Sequence, residues 1–206
     1  MKQAKRCYEL LSQLSAGEVY SWDHLTECSK SPGRDIKRLL DEELLNKVGP
    51  GLYLFPKKSR FGTVPPSAQQ VVNVFLKTDD FLFVSPNYYN GLGLGLTQLK
   101  NEVFVYNKKR HGDVKLSNRT YHFKLKVKGY PKELTKEYLL VDLVNNLDEV
   151  GESSSILLRK IADSVQANEF NNTQLFMLAK QYGHVYTKKF FVALELGKQY
   201  PVKKVA

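Results

Sequence analysis

Residues 31–58 read SPGRDIKRLLDEELLNKVGPGLYLFPKK, and this stretch decides the fold of the N-terminal part of the chain. Ser31 suits a helix N-cap and is followed by proline, so the sequence predicts a helix that runs to about Leu45. Its apolar residues recur at helical spacing and predict one buried side. Arg34 and Arg38 lie four residues apart and are expected to face away from that side.

The end of the same stretch predicts a β-hairpin. Two short apolar runs, residues 45–48 and 52–55, are joined by Gly49-Pro50-Gly51, and such a turn between apolar runs is typical of a tight hairpin. Lys57 and Lys58 follow the second run and are expected to close the hairpin.

The residues before this stretch complete a recognisable order of elements. Apolar spacing predicts a helix over residues 2–15, a short strand over residues 18–20 and a second helix capped by Ser21. Trp22 is expected in the core, because the second helix must dock on its neighbours. Helix, strand, helix, helix and hairpin is the order of a winged helix-turn-helix, so the sequence predicts that domain over residues 1–60.

A winged helix-turn-helix can place one helix in the major groove of DNA and its hairpin beside the backbone. Arg34, Lys37 and Arg38 are the candidates for base contacts, and the lysines around the hairpin are candidates for phosphate contacts. The complete candidate DNA-binding set is Lys30, Ser31, Arg34, Lys37, Arg38, Lys47, Lys57 and Lys58. The alternative is a helix and hairpin that only pack, with a solvated basic side.

Composition favours a folded protein with an anionic partner. The chain has 206 residues, 42% of them hydrophobic, and carries 31 Lys and Arg against 21 Asp and Glu, a net charge of +10. A basic balance favours association with polyanions. Cys7 and Cys28 have no metal-ligand spacing, and the sequence contains no signal peptide and no apolar run long enough to span a membrane, so we expect a cytoplasmic protein.

A change of composition marks the predicted end of the first domain. Residues 59–67 read SRFGTVPPS, and the Pro65-Pro66 pair predicts a boundary or stiff linker. Residues 61–206 are therefore predicted to form a second domain of mixed α+β structure. Its C-terminal helical layer is expected over residues 154–167, 173–182 and 187–196, after a largely buried helix over residues 131–150.

Two segments of the predicted second domain are candidates for binding. Residues 85–98 contain Tyr88, Tyr89 and Asn90 before a run of alternating glycine and leucine, which matches a phosphate-binding loop only loosely. Between two predicted strands, Lys108, Lys109, Arg110 and His111 form a basic turn. Adjacent cations repel, so the turn is either solvated or offset by an anionic partner, such as a partner protein or DNA backbone.

Catalytic signals are weak. The four histidines are scattered without metal-ligand spacing, and no nucleophile motif is present, so neither a metal nor a cofactor is expected. Asp113-Val114-Lys115 matches the acidic-x-Lys triplet of restriction-type nucleases, with Glu102, Asp80 or Asp79 as the carboxylate that would complete a metal site. Three-residue matches are common by chance, so a nuclease is kept as an alternative.

Several longer segments resemble one family. Those segments are GLYLFPKK, FGTVPPSAQQVV, SPNYYNGLGLGLTQ, VYNKKRHGDVKL and LLVDLVNNLDEV. With the predicted winged helix, they resemble the AbiEi-type antitoxins of type IV toxin–antitoxin systems. The resemblance covers roughly residues 17–150.

The resemblance implies a non-enzymatic transcriptional regulator that binds operator DNA, represses its own operon and counteracts a nucleotidyltransferase toxin. On that hypothesis Tyr88, Tyr89, Asn90 and the basic turn are candidate toxin- or anion-binding residues, the toxin is counteracted directly or indirectly, and a homodimer on DNA is compatible. A nuclease or DNA-processing enzyme, or a plain transcription factor with a dimerisation or sensing domain, is the alternative.

Overall fold

The structure is a computed structural model that describes residues 9–97, 99–150 and 153–201. Residues 2–8 of the predicted helix over residues 2–15 lie outside the described residues. Residues 9–11 are helical (α1), and residues 12–15 are not, so the helix ends earlier than predicted. The predicted mixed α+β class is confirmed. The elements that follow α1 are β1 (Val19–Ser21), α2 (Trp22–Glu27), α3 (Pro32–Asp41), β2 (Asn46–Gly49), β3 (Leu52–Leu54), β4 (Lys57–Ser59), β5 (Gly62–Val64), α4 (Ala68–Leu76), β6 (Phe81–Val84), a 3₁₀ helix (Pro86–Leu92), β7 (Phe104–Asn107), β8 (Gly112–Leu116), β9 (Arg119–Leu125), α5 (Lys136–Asn145), a second 3₁₀ helix (Leu147–Glu149), α6 (Ser154–Gln166), α7 (Asn172–Tyr182) and α8 (Val185–Glu195).

The described chain divides into two compact units. Unit 1 comprises the described residues up to Phe81 together with Lys109–Phe123, and unit 2 comprises Leu82–Lys108 and the described residues from Lys124 onward. Unit 1 thus contains residues on both sides of the predicted boundary between residues 60 and 61, which stays a prediction. The strands β6 to β9 belong to a sheet of order β6-β7-β9-β8.

In unit 1, β1, β3 and β2 form an antiparallel sheet in that order, with α2 and α3 inserted between β1 and β2. Ser21 caps α2 as predicted, its hydroxyl accepting a hydrogen bond from the His24 backbone N–H at 3.3 Å. The helices and sheet bury one apolar cluster. Its buried members are Leu10, Leu14, Leu25, Ile36, Leu39, Leu45 and Tyr53.

The helix α3 is shorter than predicted. It ends at Asp41 because Glu43 takes a left-handed conformation, with φ of 54°, and Leu44 turns back to donate to the Leu39 carbonyl at 2.9 Å. The predicted end at about Leu45 was wrong by roughly one turn. The early end leaves Leu45 free to enter the core of unit 1 instead.

A second hairpin, β4–β5, occupies the place of the predicted linker. Lys57 pairs with Val64 and Ser59 with Gly62, and every residue of both strands is exposed. Lys57 and Lys58 therefore do not close the β2–β3 hairpin, as the sequence suggested, but begin a hairpin of their own. The Pro65-Pro66 pair follows β5 directly and separates it from α4.

Unit 2 contains the predicted helical layer. Helices α6, α7 and α8 lie within one or two residues of their predicted ranges, and α5 is capped by Thr135, whose hydroxyl accepts from the Tyr138 backbone N–H at 3.2 Å. Residues of α5 to α8 and of the segment around Leu92 share one buried apolar cluster. No helix within the described ranges is both long and apolar enough to cross a membrane.

Candidate functional site

The exposed side of α3 carries a basic surface. Asp35, Ile36 and Leu39 are buried, which turns Arg34 and Lys37 outward, and both cations are exposed. The Asp35 carboxylate accepts a hydrogen bond from the Ser29 hydroxyl at 2.6 Å, so this acid is occupied within the turn before the helix. The N-terminal half of α3 therefore presents cations to solvent without an exposed acid beside them.

The C-terminal half of α3 is electrostatically different. Arg38 Nε donates to Glu42 Oε1 at 2.7 Å, four residues along the chain. An exposed pair of this kind contributes little stability, yet it neutralises the cation that was predicted to reach DNA bases. The structure therefore favours Arg34 and Lys37 over Arg38 for an encounter with an anion.

The remaining members of the candidate DNA-binding set lie around α3 and on both hairpins. Lys30 is exposed in the turn before α3, and Ser31 is the N-cap residue, although its side chain makes no cap hydrogen bond. Lys47 is exposed on β2, opposite Tyr53 in the sheet. Lys57 and Lys58 are exposed on β4.

The predicted core position of Trp22 is wrong. Its side chain is 38% exposed, so it is not the core residue that the sequence suggested. Trp22 is the first residue of α2, and Leu25, one turn later, takes the buried position. The indole instead lies at the start of α3, where it would meet a β-carbon added at Gly33 at 3.9 Å, and it tilts against the Tyr53 ring. It is therefore a surface aromatic beside the basic half of α3.

The same part of unit 1 lacks acidic residues over a long stretch. Residues 44–78 contain five Lys or Arg and no Asp or Glu. This stretch includes β2, β3, the β4–β5 hairpin and α4. The positive potential of these elements is therefore not offset by acids of the stretch itself, which favours a polyanionic partner.

Two cations of the predicted basic turn are occupied inside unit 1. Lys109 Nζ donates to the Leu76 and Lys77 carbonyls at 2.9 and 3.0 Å, at the C-terminal end of α4, where a cation complements the helix dipole. The Arg110 guanidinium lies 4.7 Å from the centroid of the Phe75 ring. The protein itself thus offsets part of the expected repulsion.

The other residues of the turn are more accessible. Lys108 is exposed and its Nζ lies 5.7 Å from the centroid of the Tyr130 ring in unit 2. His111 is exposed. Binding of a partner by this turn stays a prediction. Lys108 and His111 can contact a partner while Lys109 and Arg110 keep their contacts with α4.

The predicted Tyr88–Asn90 group is split by the fold. It lies on the 3₁₀ helix Pro86–Leu92, where Tyr88 is 46% exposed and Tyr89 is buried. Tyr88 lines a cleft of about 530 Å³ together with Lys136 of α5. Tyr89 belongs to the interior and was wrongly grouped with surface contacts, while Asn90 is half-buried.

Tyr89 belongs to a buried polar cluster around Asp142 of α5. The Tyr89 and Tyr106 hydroxyls donate to Asp142 Oδ2 at 2.9 and 2.8 Å, and Asp142 is fully buried. Lys126 Nζ lies 3.6 Å from the other carboxylate oxygen, Oδ1, which has no hydrogen-bond partner within the described chain. Lys126, which directly follows β9, thus supplies the cation that a buried carboxylate needs.

The cluster shifts the pKa values of its members. Burial, with the adjacent Asp142 carboxylate, raises the pKa of the Tyr89 and Tyr106 hydroxyls well above the ordinary tyrosine range. Burial lowers the pKa of the Lys126 ammonium, and Asp142 opposes that shift. The tyrosines therefore remain neutral hydrogen-bond donors. The cluster is thus a buried ion pair with two additional hydrogen bonds, and its members lie in separate segments of the sequence.

The end of β9 explains why Lys126 is an interior residue. Tyr121, Phe123, Leu125 and Val127 alternate with polar residues in the sequence, yet only Tyr121 and Phe123 are buried, while Leu125 and Val127 are exposed. The strand ends at Leu125, so the alternation is lost there and Lys126 turns toward the interior.

The structure also shows where the nuclease-like triplet Asp113-Val114-Lys115 lies. Asp113 is exposed on β8, and its Oδ1 lies 2.8 Å from Nδ1 of His122 on the neighbouring strand. Lys115 is exposed on the same strand. Among residues 9–97, 99–150 and 153–201, no group of three or more His, Cys, Asp or Glu side chains could hold a metal ion.

Comparison with known families gives one assignment. Residues 9–172 match the model of DUF6088, described as a family of unknown function, and the chain therefore belongs to that family. No curated protein matches the chain.

Proposed function

We propose that this protein is a cytoplasmic DNA-binding regulator whose unit 1 contains an N-terminal winged helix-turn-helix. The observation that carries the proposal is the exposed pair Arg34 and Lys37 on the N-terminal half of α3. That half of a recognition helix is the part that contacts base edges in helix-turn-helix proteins. The order of helices and the sheet β1-β3-β2 support the same assignment.

The proposal divides the contacts between two kinds of groups. Arg34 is placed to read a base, because a guanidinium can bond to the two acceptors of guanine at once. Lys37, Lys30 and Lys47 are placed for phosphates, which position a protein without reading sequence. The lack of acids over residues 44–78 favours approach to the duplex as a whole.

The proposal predicts a loss of binding when the basic half of α3 is neutralised. Arg34→Ala/Lys37→Ala should weaken binding to the protein's own upstream DNA by about tenfold or more, because a bidentate base contact alone is worth about 1–3 kcal/mol. Fluorescence anisotropy over a series of salt concentrations measures it, and the salt slope should fall by about one for the lost phosphate contact.

A matched control separates contact from net charge. Lys132→Ala/Lys189→Ala removes the same charge from two exposed lysines of unit 2 and should leave affinity nearly unchanged. Equal losses in both double variants would mean that only overall charge matters. Normal binding by Arg34→Ala/Lys37→Ala would remove α3 from the interface.

We further propose that the regulator is a non-enzymatic antitoxin of a type IV system, which counteracts a nucleotidyltransferase toxin. The sequence resemblance carries this part, and the candidate toxin-binding residues that are exposed are Tyr88 and Lys108 of unit 2 and His111 of unit 1. Lys109 and Arg110 are left out of that surface, because α4 already engages them.

Co-expression with a neighbouring nucleotidyltransferase gene tests the antitoxin part. Lys108→Glu/His111→Glu should abolish rescue of growth while operator affinity stays close to wild type, because the change adds negative charge only at exposed side chains outside α3 and both hairpins. Lys132→Glu/Lys189→Glu is the control and should still rescue. Rescue by both variants would exclude the turn from toxin neutralisation. A loss of operator affinity in Lys108→Glu/His111→Glu would assign the turn to DNA binding instead.

A further inference from the structure

The β4–β5 hairpin is an unusual surface feature. Among the strands of the described chain, β4 and β5 pair only with each other, and all of their residues are exposed. A two-stranded hairpin with both faces in water is marginally stable on its own. To remain folded, the hairpin therefore needs local ordering at its tip, a binding partner, or both.

The tip is ordered by its own hydrogen bonds. The Ser59 hydroxyl accepts from the Phe61 backbone N–H at 3.2 Å and donates to the Gly62 carbonyl at 2.9 Å. Gly62 takes a φ of 107°, which glycine adopts without strain. Arg60 and Phe61 are thus held at the two positions of a tight turn, so little conformational entropy is lost if they contact a partner.

The tip presents an aromatic ring within a cationic setting. The Phe61 side chain is 92% exposed, and the Arg60 guanidinium lies 5.6 Å from its centroid. Lys57 and Lys58 are exposed on the adjoining strand. A single exposed apolar residue is ordinary in itself. An aromatic tip flanked by three cations, in a stretch without acids, instead matches a polyanion that also offers flat apolar surfaces.

We propose that the β4–β5 hairpin enters the minor groove of DNA, with Phe61 as an apolar wedge against a base step and Lys57, Lys58 and Arg60 on the flanking phosphates. The proposal rests on the proposed DNA-binding function and adds a second contact to the one made by α3. Proteins that bind the minor groove use inserted apolar side chains of this kind and kink the duplex by about 20–90°.

Bending of a labelled duplex tests the wedge. The probe is a duplex from the region upstream of the protein's own gene, with donor and acceptor dyes at its ends, titrated with the full-length protein. Wild type should bring the dyes closer. Phe61→Ala should remove most of that change and weaken binding about fivefold to a hundredfold, as expected for loss of an aromatic contact to bases.

A matched variant controls for the loss of exposed apolar surface. Val64→Ala trims another exposed apolar side chain of the same hairpin, two residues from Gly62, and should bend and bind the duplex as wild type does. Because Phe61 is almost fully exposed, Phe61→Ala should fold normally, and circular dichroism with a thermal scan verifies this.

Each contrary outcome identifies what has failed. If wild type binds the duplex while Phe61→Ala bends and binds it equally well, the wedge is wrong and the α3 interface stands. If wild type does not bind duplex DNA at all, both proposals fail. Binding to phosphatidylglycerol vesicles is measured in parallel. If Phe61→Ala bends and binds the duplex as wild type does but no longer binds these vesicles, the hairpin is a membrane-surface contact and the wedge is overturned.

Discussion

Replacement of Asp142 by alanine should lower the free energy of unfolding by about 3–5 kcal/mol. The change leaves Lys126 buried without its counter-charge and leaves the Tyr89 and Tyr106 hydroxyls without their acceptor. Each of these groups then bears a desolvation cost that nothing repays. Urea denaturation, followed by circular dichroism, measures the loss.

A partly exposed ion pair of the same unit provides the comparison. Glu149 pairs with Lys124 at 2.5 Å, and Glu149→Ala should cost at most about 1 kcal/mol because the Glu149 side chain is 45% exposed. Asp142→Leu/Lys126→Met should recover much of the lost stability, because it removes both charges from the interior. A loss for Asp142→Ala no larger than for Glu149→Ala would mean that the cluster does not hold unit 2 together.

Stability should fall steeply at alkaline pH because of the same cluster. The pKa values of Tyr89 and Tyr106 are raised in the folded protein, so these hydroxyls keep their protons at a pH where the unfolded chain, with a tyrosine pKa of about 10, has lost them. The folded state then binds more protons than the unfolded state. The free energy of unfolding should therefore decrease by about 1.4 kcal/mol per pH unit for each tyrosine above about pH 10.

The lysine of the cluster acts in the opposite direction over a lower range. The pKa of Lys126 is lowered, so its contribution to stability rises with pH until the unfolded lysine has also titrated, at about pH 10.4. Urea denaturation above that pH isolates the tyrosine effect. Tyr89→Phe should reduce the slope by about 1.4 kcal/mol per pH unit.

Local sequence signals located most of the helices and several strands. Ser67 and Thr135 act as N-caps, and apolar periodicity placed α6, α7 and α8 within one or two residues. The strand predicted over residues 18–20 lies within one residue of β1, and the runs at residues 45–48 and 52–55 correspond to β2 and β3. These elements are set by caps and by spacing within one segment, which are the signals that a sequence contains.

The features that were missed depend on pairing between segments or on backbone conformation. The left-handed residue at Glu43, which shortens α3, has no signature such as glycine. The β4–β5 hairpin lacks alternation, because neither of its faces is buried. The polar cluster joins Tyr89, Tyr106 and Lys126 to Asp142 across many intervening residues, so no local pattern in the sequence indicates it.

The candidate interface was predicted in part for the same reason. Arg34 and Lys37 are exposed as helical spacing required, but the pairing of Arg38 with Glu42 becomes evident only with the side chains in place. In the basic turn, the sequence could not indicate that the α4 terminus would engage Lys109. The number of cations counted from the sequence therefore exceeds the number that are available to a binding partner.

The division of unit 1 into two stretches of chain has a consequence for its synthesis. Because unit 1 includes Lys109–Phe123, its last strands do not exist until Phe123 has left the ribosome, well after α3 and both hairpins have emerged. Domains encoded by one continuous stretch can fold as they emerge, from the N-terminus first. Here the N-terminal part of the nascent chain must wait for the 47 residues from Lys77 to Phe123 before its unit is complete.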